Sequence, residues 1–256
     1  MQNLVYDLRR YYGVVGPFLD AELAGRGDER FWLEVGRRAR AGSILELGCG
    51  GGRVTRVLAE SGARVVGIDL CPELLERARQ RLDTHAVSLV VADMRQLALR
   101  RRFEAIVAPD DPFSHLTADE DRSRALAGVA RHLAPGGRFV LDALWFRPDE
   151  ERRGSRLLTH DLTLAGQAVH VTERWRCDRQ THCCATEYDY YTGAGEPTHA
   201  SFEARYWTPA ELRDRLAAAG LHITHWWGGY DGQPWDEQRS ERLVLEAISR
   251  QPSTVS

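Results

Sequence analysis

The fold of this chain is decided by one stretch, Ser43-Ile44-Leu45-Glu46-Leu47-Gly48-Cys49-Gly50-Gly51-Gly52-Arg53-Val54-Thr55-Arg56-Val57-Leu58. Its first residues form a short apolar run that stops abruptly at glycines, which predicts a buried strand. Val54, Val57 and Leu58 then recur at helical spacing. Glycines are required in between because the backbone must bend tightly and approach a ligand, and a Cβ atom would prevent both. The stretch therefore predicts a strand, a glycine turn and a helix, with a ligand at the N-terminus of that helix.

The spacing of the glycines separates two classes of cofactor. A dinucleotide turn has the pattern G-x-G-x-x-G/A, and counting from Gly48 and Gly50 places Arg53 where the third small residue is needed. The pattern E-x-G-x-G-x-G instead fits Glu46, Gly48, Gly50 and Gly52 without exception. This pattern resembles the first motif of class I S-adenosylmethionine-dependent methyltransferases, in which the acid organises the loop near the methionine amine of the cofactor. A nicotinamide-dependent oxidoreductase is the weaker interpretation because of Arg53.

Two later strands are each predicted to end in an acid. Residues 64–69 form an apolar run that ends at Asp69, where a carboxylate can accept hydrogen bonds from both ribose hydroxyls. Residues 88–94 form another, and Asp93 beside Met94 suits an adenine whose amino group donates to the carboxylate and whose face packs on the methionine. Similar methyltransferases place an acid there for the same purpose.

The resemblance implies S-adenosyl-L-methionine as the cofactor and S-adenosyl-L-homocysteine as its product. It also implies that an aromatic side chain from the N-terminal helix closes over the cofactor. The predicted cofactor-binding residues are Tyr12, Glu46, Gly48, Cys49, Gly50, Gly52, Arg53, Asp69, Leu70, Ala92, Asp93, Met94 and Ala108.

Catalytic candidates lie in the loop of residues 109–116, which follows a fourth predicted strand at residues 103–108. Ligands of open parallel sheets bind outside the carboxyl ends of the strands, so this loop should face the substrate. His115 is the candidate base because its ordinary pKa suits proton transfer, although packing beneath the cofactor is the alternative. Related sequences often carry an Asn-Ser-Phe-like run where this chain has Asp111-Pro112-Phe113, which makes Asp110 or Asp111 a candidate amine ligand or base.

The predicted fold class is α/β: a doubly wound, Rossmann-like seven-stranded sheet with helices on both faces, plus a small antiparallel β insertion. Residues 1–42 form an N-terminal helical cap whose first helix is broken by Gly13, Gly16 and Pro17. Residues 43–145 and 208–250 form the cofactor-binding core. Residues 146–207 alternate in polarity along three runs, which predicts antiparallel strands that serve as a lid or a dimer interface. Residues 251–256 form a disordered tail.

The aromatic residues of the insertion have two interpretations. They line a substrate cavity, or they form the core of a small sheet. The residues concerned are Trp175, Tyr188, Tyr190, Phe202, Tyr206 and Trp207.

Composition excludes several kinds of chemistry. All 34 basic residues are arginine, which excludes a lysine Schiff base and a phosphate-loop lysine. The formal net charge of −3 argues against a general nucleic-acid binder. The five cysteines include no C-x-x-C pair and are expected to be free thiols in a reducing compartment. No signal peptide or membrane span is predicted, so the expected location is cytoplasmic. No metal site is predicted, because His222 and His225 should point to opposite faces of a strand.

The function predicted from the sequence is methyl transfer from S-adenosylmethionine to an oxygen or nitrogen of a small molecule, in secondary metabolism. The protein is expected to act without nucleic acid or membrane and to dimerise through the insertion. The alternatives are an RNA or protein methyltransferase and a cofactor-binding partner subunit that has lost catalysis. A partner subunit would retain the binding motifs, so the motifs alone do not separate it from an enzyme.

Overall fold

A mixed seven-stranded sheet carries the glycine turn in the computed structural model of this chain. The structure describes residues 2–39, 42–82, 86–146, 155–193 and 195–249, and it describes side chains from Leu8 onward. The predicted tail at residues 251–256 lies outside the described residues. The strands are β1 (Ser43–Leu47), β2 (Arg64–Asp69), β3 (Val87–Val91), β4 (Phe103–Ala108), β5 (Leu133–Ala143), β6 (Ser155–Leu164), β7 (Gln167–Cys177), β8 (Cys183–Tyr191), β9 (Thr198–Arg205), β10 (Leu221–Trp227) and β11 (Leu243–Ser249). The helices are α1 (Gln2–Glu22), α2 (Glu29–Arg38), α3 (Arg53–Glu60), α4 (Pro72–Arg81), α5 (Asp119–His132) and α6 (Pro209–Ala218).

The strand order of the large sheet is β10-β11-β5-β4-β1-β2-β3, with β1 to β5 parallel and β11 antiparallel to both of its neighbours. Side chains of β1 alternate between two layers, because Ile44 packs with α2 and α3 whereas Leu45 packs with α5 and α6. Helices therefore cover both faces, and the predicted doubly wound architecture is confirmed. The parallel strands all end at one edge, which brings the glycine turn, Asp69 and the loop after β4 together.

The insertion is a separate four-stranded antiparallel sheet of order β6-β7-β8-β9. It has one strand more than the three alternating runs of the sequence, because the adjacent Leu157 and Leu158 interrupt the alternation of polarity along β6. Its inner face packs on α1 through a cluster in which Tyr11, Val15 and Phe18 meet Val171 and Tyr190. The insertion and the first helix thus form one wall above the edge of the large sheet. Its role as a lid or a dimer interface stays a prediction.

The first helix is longer than predicted. It runs through Gly13, Gly16 and Pro17 to Glu22, so the expectation that these residues break it is wrong. Proline removes one helical hydrogen bond, but Val15 and Phe18 are buried against the insertion on either side of it. Helices in proteins gain most of their stability from such packing rather than from intrinsic propensity.

The expectation of five free thiols is wrong for two cysteines. Cys177 and Cys184 stand directly opposite each other on β7 and β8 and form a disulfide, while Cys49, Cys71 and Cys183 are free. The pair was missed because its spacing becomes meaningful only once the hairpin register is known. The disulfide removes the support that cysteine usage gave to a reducing compartment. Within the described segments, no helix is long and apolar enough to cross a membrane.

Candidate active site

A cavity of about 460 Å³ lies at the carboxyl ends of the parallel strands, between α1, the glycine turn and the inner face of the insertion. This volume is typical of sites that enclose small molecules. The cavity lining contains eleven of the thirteen predicted cofactor residues: Tyr12, Glu46, Gly48, Cys49, Gly50, Arg53, Asp69, Leu70, Ala92, Asp93 and Met94. Their roles in binding stay predictions, but the fold brings them to one surface.

Two glycines of the turn are required for different reasons. Gly48 has a φ of +67°, and a Cβ there would lie 2.6 Å from the Cβ of Pro112 in the loop after β4. Gly52 has a φ of +83°, and its Cβ would lie 2.9 Å from Leu82 and 3.1 Å from Ala78. Gly48 therefore allows the two loops of the cavity to meet, whereas Gly52 lies outside the cavity lining and allows α3 and α4 to pack.

Asp69 connects the end of β2 to the glycine turn. Its Oδ2 accepts a hydrogen bond from the Gly50 N–H at 2.8 Å, and its Oδ1 accepts one from the Cys71 N–H at 2.8 Å. Burial raises the pKa of this carboxyl, although hydrogen bonds from the backbone N–H groups of Cys71, Gly50 and Leu70 oppose the shift. Each carboxylate oxygen keeps a lone pair for a further donor, as the predicted contact with two ribose hydroxyls requires.

Glu46 lies beneath the turn with only 2% of its surface exposed. Its Oε2 accepts a hydrogen bond from the Thr55 hydroxyl at 2.6 Å. Burial raises the pKa of Glu46 to about 8. A carboxyl that holds its proton at neutral pH will ionise when a cation arrives beside it, which suits the predicted position near the cofactor amine.

Two other predicted contacts are occupied by ion pairs. Arg95 forms an ion pair with Asp93, with its Nη2 2.6 Å from Oδ2. Burial alone would raise the pKa of Asp93, but the hydrogen bonds and charge of Arg95 outweigh burial and lower it. Arg53 forms two hydrogen bonds to Asp28 at the start of α2, at 2.6 Å and 2.8 Å. Both arginines hold elements around the cavity in place.

Tyr12 and His115 meet in the cavity although 103 residues separate them in the chain. The Tyr12 hydroxyl lies 2.6 Å from His115 Nε2, and the two rings pack edge to face. Burial lowers the pKa of His115 to about 4, so its imidazole is neutral at physiological pH. Burial and the charges of Asp69 and Asp110 raise the pKa of Tyr12, so its hydroxyl keeps its proton.

The acids of the loop after β4 have separate environments. Asp110 lines the cavity and is paired with Arg26, while burial raises its pKa to about 6. Asp111 is fully buried outside the lining, where its Oδ2 accepts a hydrogen bond from the Leu144 N–H at 2.9 Å. Ala108, a predicted cofactor residue, is likewise buried in β4 and outside the lining. The geometry gives Asp111 a structural contact rather than access to a substrate.

The aromatic residues of the insertion divide between the two interpretations. Tyr188, Tyr190, Phe202 and Tyr206 line the cavity, whereas Trp175 and Trp207 are buried in packed clusters. Six further charged residues of the lining were not predicted from the sequence, and they are Arg9, Asp20, Glu22, Arg26, Arg156 and Glu173. Glu173 could have been recognised from the sequence, because it interrupts the apolar residues that form the inner face of β7.

Comparisons with known proteins identify the family. Residues 44–137 match the family model described as a methyltransferase domain. The chain is 33% identical over 218 residues to the cypemycin N-terminal methyltransferase of a Streptomyces species, covering 84% of this chain and 86% of that protein. It is also 33% identical to the dTDP-4-amino-2,3,4,6-tetradeoxy-D-glucose N,N-dimethyltransferase of Saccharopolyspora spinosa, covering 87% and 88%.

A solved structure extends the likeness to the whole fold. It is the structure of SAM-bound CalS10, an amino pentose methyltransferase from Micromonospora echinaspora, with 26% identity and a TM-score of 0.72 over 90% of this chain and 96% of that one. Family and structures confirm S-adenosylmethionine as the cofactor and an enzymatic activity, against the alternative of a partner subunit without catalysis. This chain belongs to the family of S-adenosylmethionine-dependent methyltransferases.

Proposed function

We propose that this enzyme methylates the nitrogen of an amine on a small molecule of secondary metabolism. Two relatives are named for methylation at a nitrogen, one on an amino sugar and one at an N-terminus. The observation that carries the choice of nitrogen over oxygen is the Tyr12–His115 pair, whose imidazole is neutral and weakly basic.

The strength of the available base separates the two acceptors. A hydroxyl must lose its proton as it forms the new bond, and even a phenol has a pKa of about 10. An imidazole whose pKa burial lowers to about 4 is a poor acceptor for that proton. A neutral amine already has a free lone pair, and its proton is lost after the new bond has formed. The weak base therefore favours an amine.

The residues of the cavity fit both reactants. When bound, S-adenosylmethionine supplies a methyl group on a positively charged sulfur. Asp69 would accept from ribose hydroxyls, and Glu46 would ionise beside the cofactor amine. The Tyr12 oxygen would accept an N–H of the acceptor and so direct the nitrogen lone pair, while α1 and the insertion, which wall the cavity, would shield the reactants from bulk water. Such positioning can supply about 7 to 11 kcal/mol of the barrier.

A panel of acceptors tests this proposal. Purified enzyme is given S-adenosylmethionine and matched pairs of compounds that differ only by an amine or a hydroxyl, including amino sugars and a peptide with a free N-terminus. We expect methylated product, detected by mass spectrometry, from amines and not from their hydroxyl counterparts. Turnover of hydroxyl compounds alone would contradict the proposal.

A second prediction concerns the buried carboxyl of Glu46. Its raised pKa of about 8 means that it is mostly protonated at neutral pH in the free enzyme. A cofactor amine beside it stabilises the carboxylate, so binding of S-adenosylhomocysteine should release up to one proton per site, and affinity should rise with pH towards that value. Calorimetric titration in buffers of different ionisation enthalpy measures the release.

The matched variant for this test is Glu46→Gln, which keeps the shape of the side chain but has no proton to lose. It should bind the product more weakly and release no proton. If the wild-type enzyme shows no proton release, Glu46 is not the group that faces the cofactor amine.

A further inference from the structure

Two carboxylates on the far side of the cavity have no part in the proposed transfer step. Glu173 lies on the inner face of β7, between Val171 and Trp175 in the same row, and Glu22 ends α1 opposite it. Both line the same cavity as the cofactor residues. Carboxylates are costly to desolvate, so their presence in a largely aromatic wall indicates a ligand with a complementary charge.

Glu173 is only partly neutralised by its neighbours. Its side chain is 13% exposed, and its Oε1 lies 3.4 Å from Arg156 Nη2. Glu173 pairs directly with Tyr188 across β7 and β8, so the two side chains are neighbours on the same face of the sheet. An ion pair at this distance leaves acceptor sites on the carboxylate for another donor.

Glu22 is in a similar position. Its Oε2 lies 3.1 Å from His160 Nε2, and its carboxylate, whose Oε1 is buried, lies close to the Tyr190 hydroxyl. Burial raises the pKa values of Tyr188 and Tyr190, and the charges of Glu22 and Glu173 raise both further. Because both carboxylates act on the same two hydroxyls, they converge on one region.

This region is separate from the point of transfer. A row of rings connects them, with centroids 5.5 Å apart from His115 to Phe202 and 6.4 Å apart from Phe202 to Tyr188. A hydrogen bond from an ammonium spans only about 3 Å. Because the Phe202 ring stands between His115 and Tyr188, we assign the amine held by Tyr12 and the group bound by Glu173 to different parts of the acceptor.

We propose that Glu22, Glu173, Tyr188 and Tyr190 form a far wall that binds a second cationic group of the acceptor. Among the described residues, Glu173 pairs with Arg156 and Glu22 with His160, and the phenol faces of Tyr188 and Tyr190 add cation–π attraction for a ligand cation. The acceptor class is thus an amine that carries a second amino or guanidino group at its other end. This inference rests on the proposed N-methylation and specifies its substrate.

Two amines that differ only in the second charge test the far wall. Diaminooctane and octylamine are compared as methyl acceptors and, by calorimetry, as ligands of the enzyme saturated with S-adenosylhomocysteine. We expect diaminooctane to have a KM and a Kd at least tenfold lower than octylamine. Glu173→Gln and Glu22→Gln should each raise the KM and the Kd of diaminooctane towards those of octylamine and so remove most of this preference.

The matched control is Glu187→Gln, the same change on the opposite face of the sheet, where Glu187 pairs with Arg174 and Arg176. It should keep the preference. Equal affinity for the two amines, or a preference that survives both Glu173→Gln and Glu22→Gln, overturns the far wall while N-methylation stands. Failure of the whole amine panel with turnover of hydroxyl compounds overturns N-methylation itself. Absence of diaminooctane binding to the saturated enzyme overturns the far wall whichever acceptors are methylated.

Discussion

Replacing Asp69 with alanine is expected to lower the affinity for S-adenosylhomocysteine about a hundredfold or more. The change removes the acceptor of the Gly50 and Cys71 N–H groups and leaves both donors unpaired at the cavity floor. It also removes the predicted partner of the ribose hydroxyls. A hydrogen bond to a charged group contributes about 1.5 to 3 kcal/mol, and about 1.4 kcal/mol corresponds to a tenfold change in affinity. Calorimetric titration, with NADH as a ligand that should not bind, measures the effect.

Two variants separate the loss of a ligand from a general effect of removing an acid. Asp69→Asn keeps one acceptor oxygen but presents an amide N–H to a backbone donor, so an intermediate loss of about tenfold is expected. Asp161→Ala removes a carboxylate that is 79% exposed on the insertion and should leave both binding and melting temperature unchanged. Unaltered affinity in a folded Asp69→Ala enzyme would show that the ribose does not bind at the end of β2.

The parts of the site that were predictable from sequence are local in the chain. Glu46, Gly48 and Gly50 lie within five residues of one another, and a strand followed by a glycine turn leaves few conformations for them. Asp69 and Asp93 were predicted because each stands at the carboxyl end of an apolar run, and parallel strands place their carboxyl ends at one edge. For these residues, the position in a strand or turn was sufficient to predict that they line the site.

The remaining parts depend on register and packing between distant segments. The Tyr12–His115 contact exists only because α1 lies across the insertion and above the loop after β4. Pro17 breaks isolated helices, and only burial of the flanking side chains keeps α1 continuous. Asp111 was a candidate because it replaces a different residue of related sequences in the loop after β4, yet its carboxylate is buried and accepts a hydrogen bond from the Leu144 N–H. Neighbours in sequence thus have different surroundings once the loop is folded.

Replacing Tyr12 with phenylalanine is expected to lower kcat by about tenfold to a hundredfold, because a reacting group displaced by about 1 Å loses rate on this scale. The ring and its packing remain, so affinity for S-adenosylhomocysteine should be nearly unchanged. His115→Phe should have a similar effect, since it removes the other half of the same hydrogen bond. The double variant should lose no more activity than the more impaired of the two single variants, because the two residues act as one unit. Tyr191→Phe, on a side chain outside the cavity lining, is the matched control and should keep full activity.

The pH dependence distinguishes positioning from base catalysis at His115. Burial lowers the pKa of this imidazole from its ordinary value to about 4. The imidazole is therefore neutral throughout the range from about pH 6 to 9, and its protonation cannot change the rate within that range. The rate should instead rise with pH as the acceptor amine loses its own proton, and the profile of His115→Phe should be lower but of the same shape. A rise centred near the ordinary histidine pKa that disappears in His115→Phe would mean that the imidazole takes the proton. In that case an acidic hydroxyl, which needs such a base, becomes the better acceptor and the choice of nitrogen loses its main support.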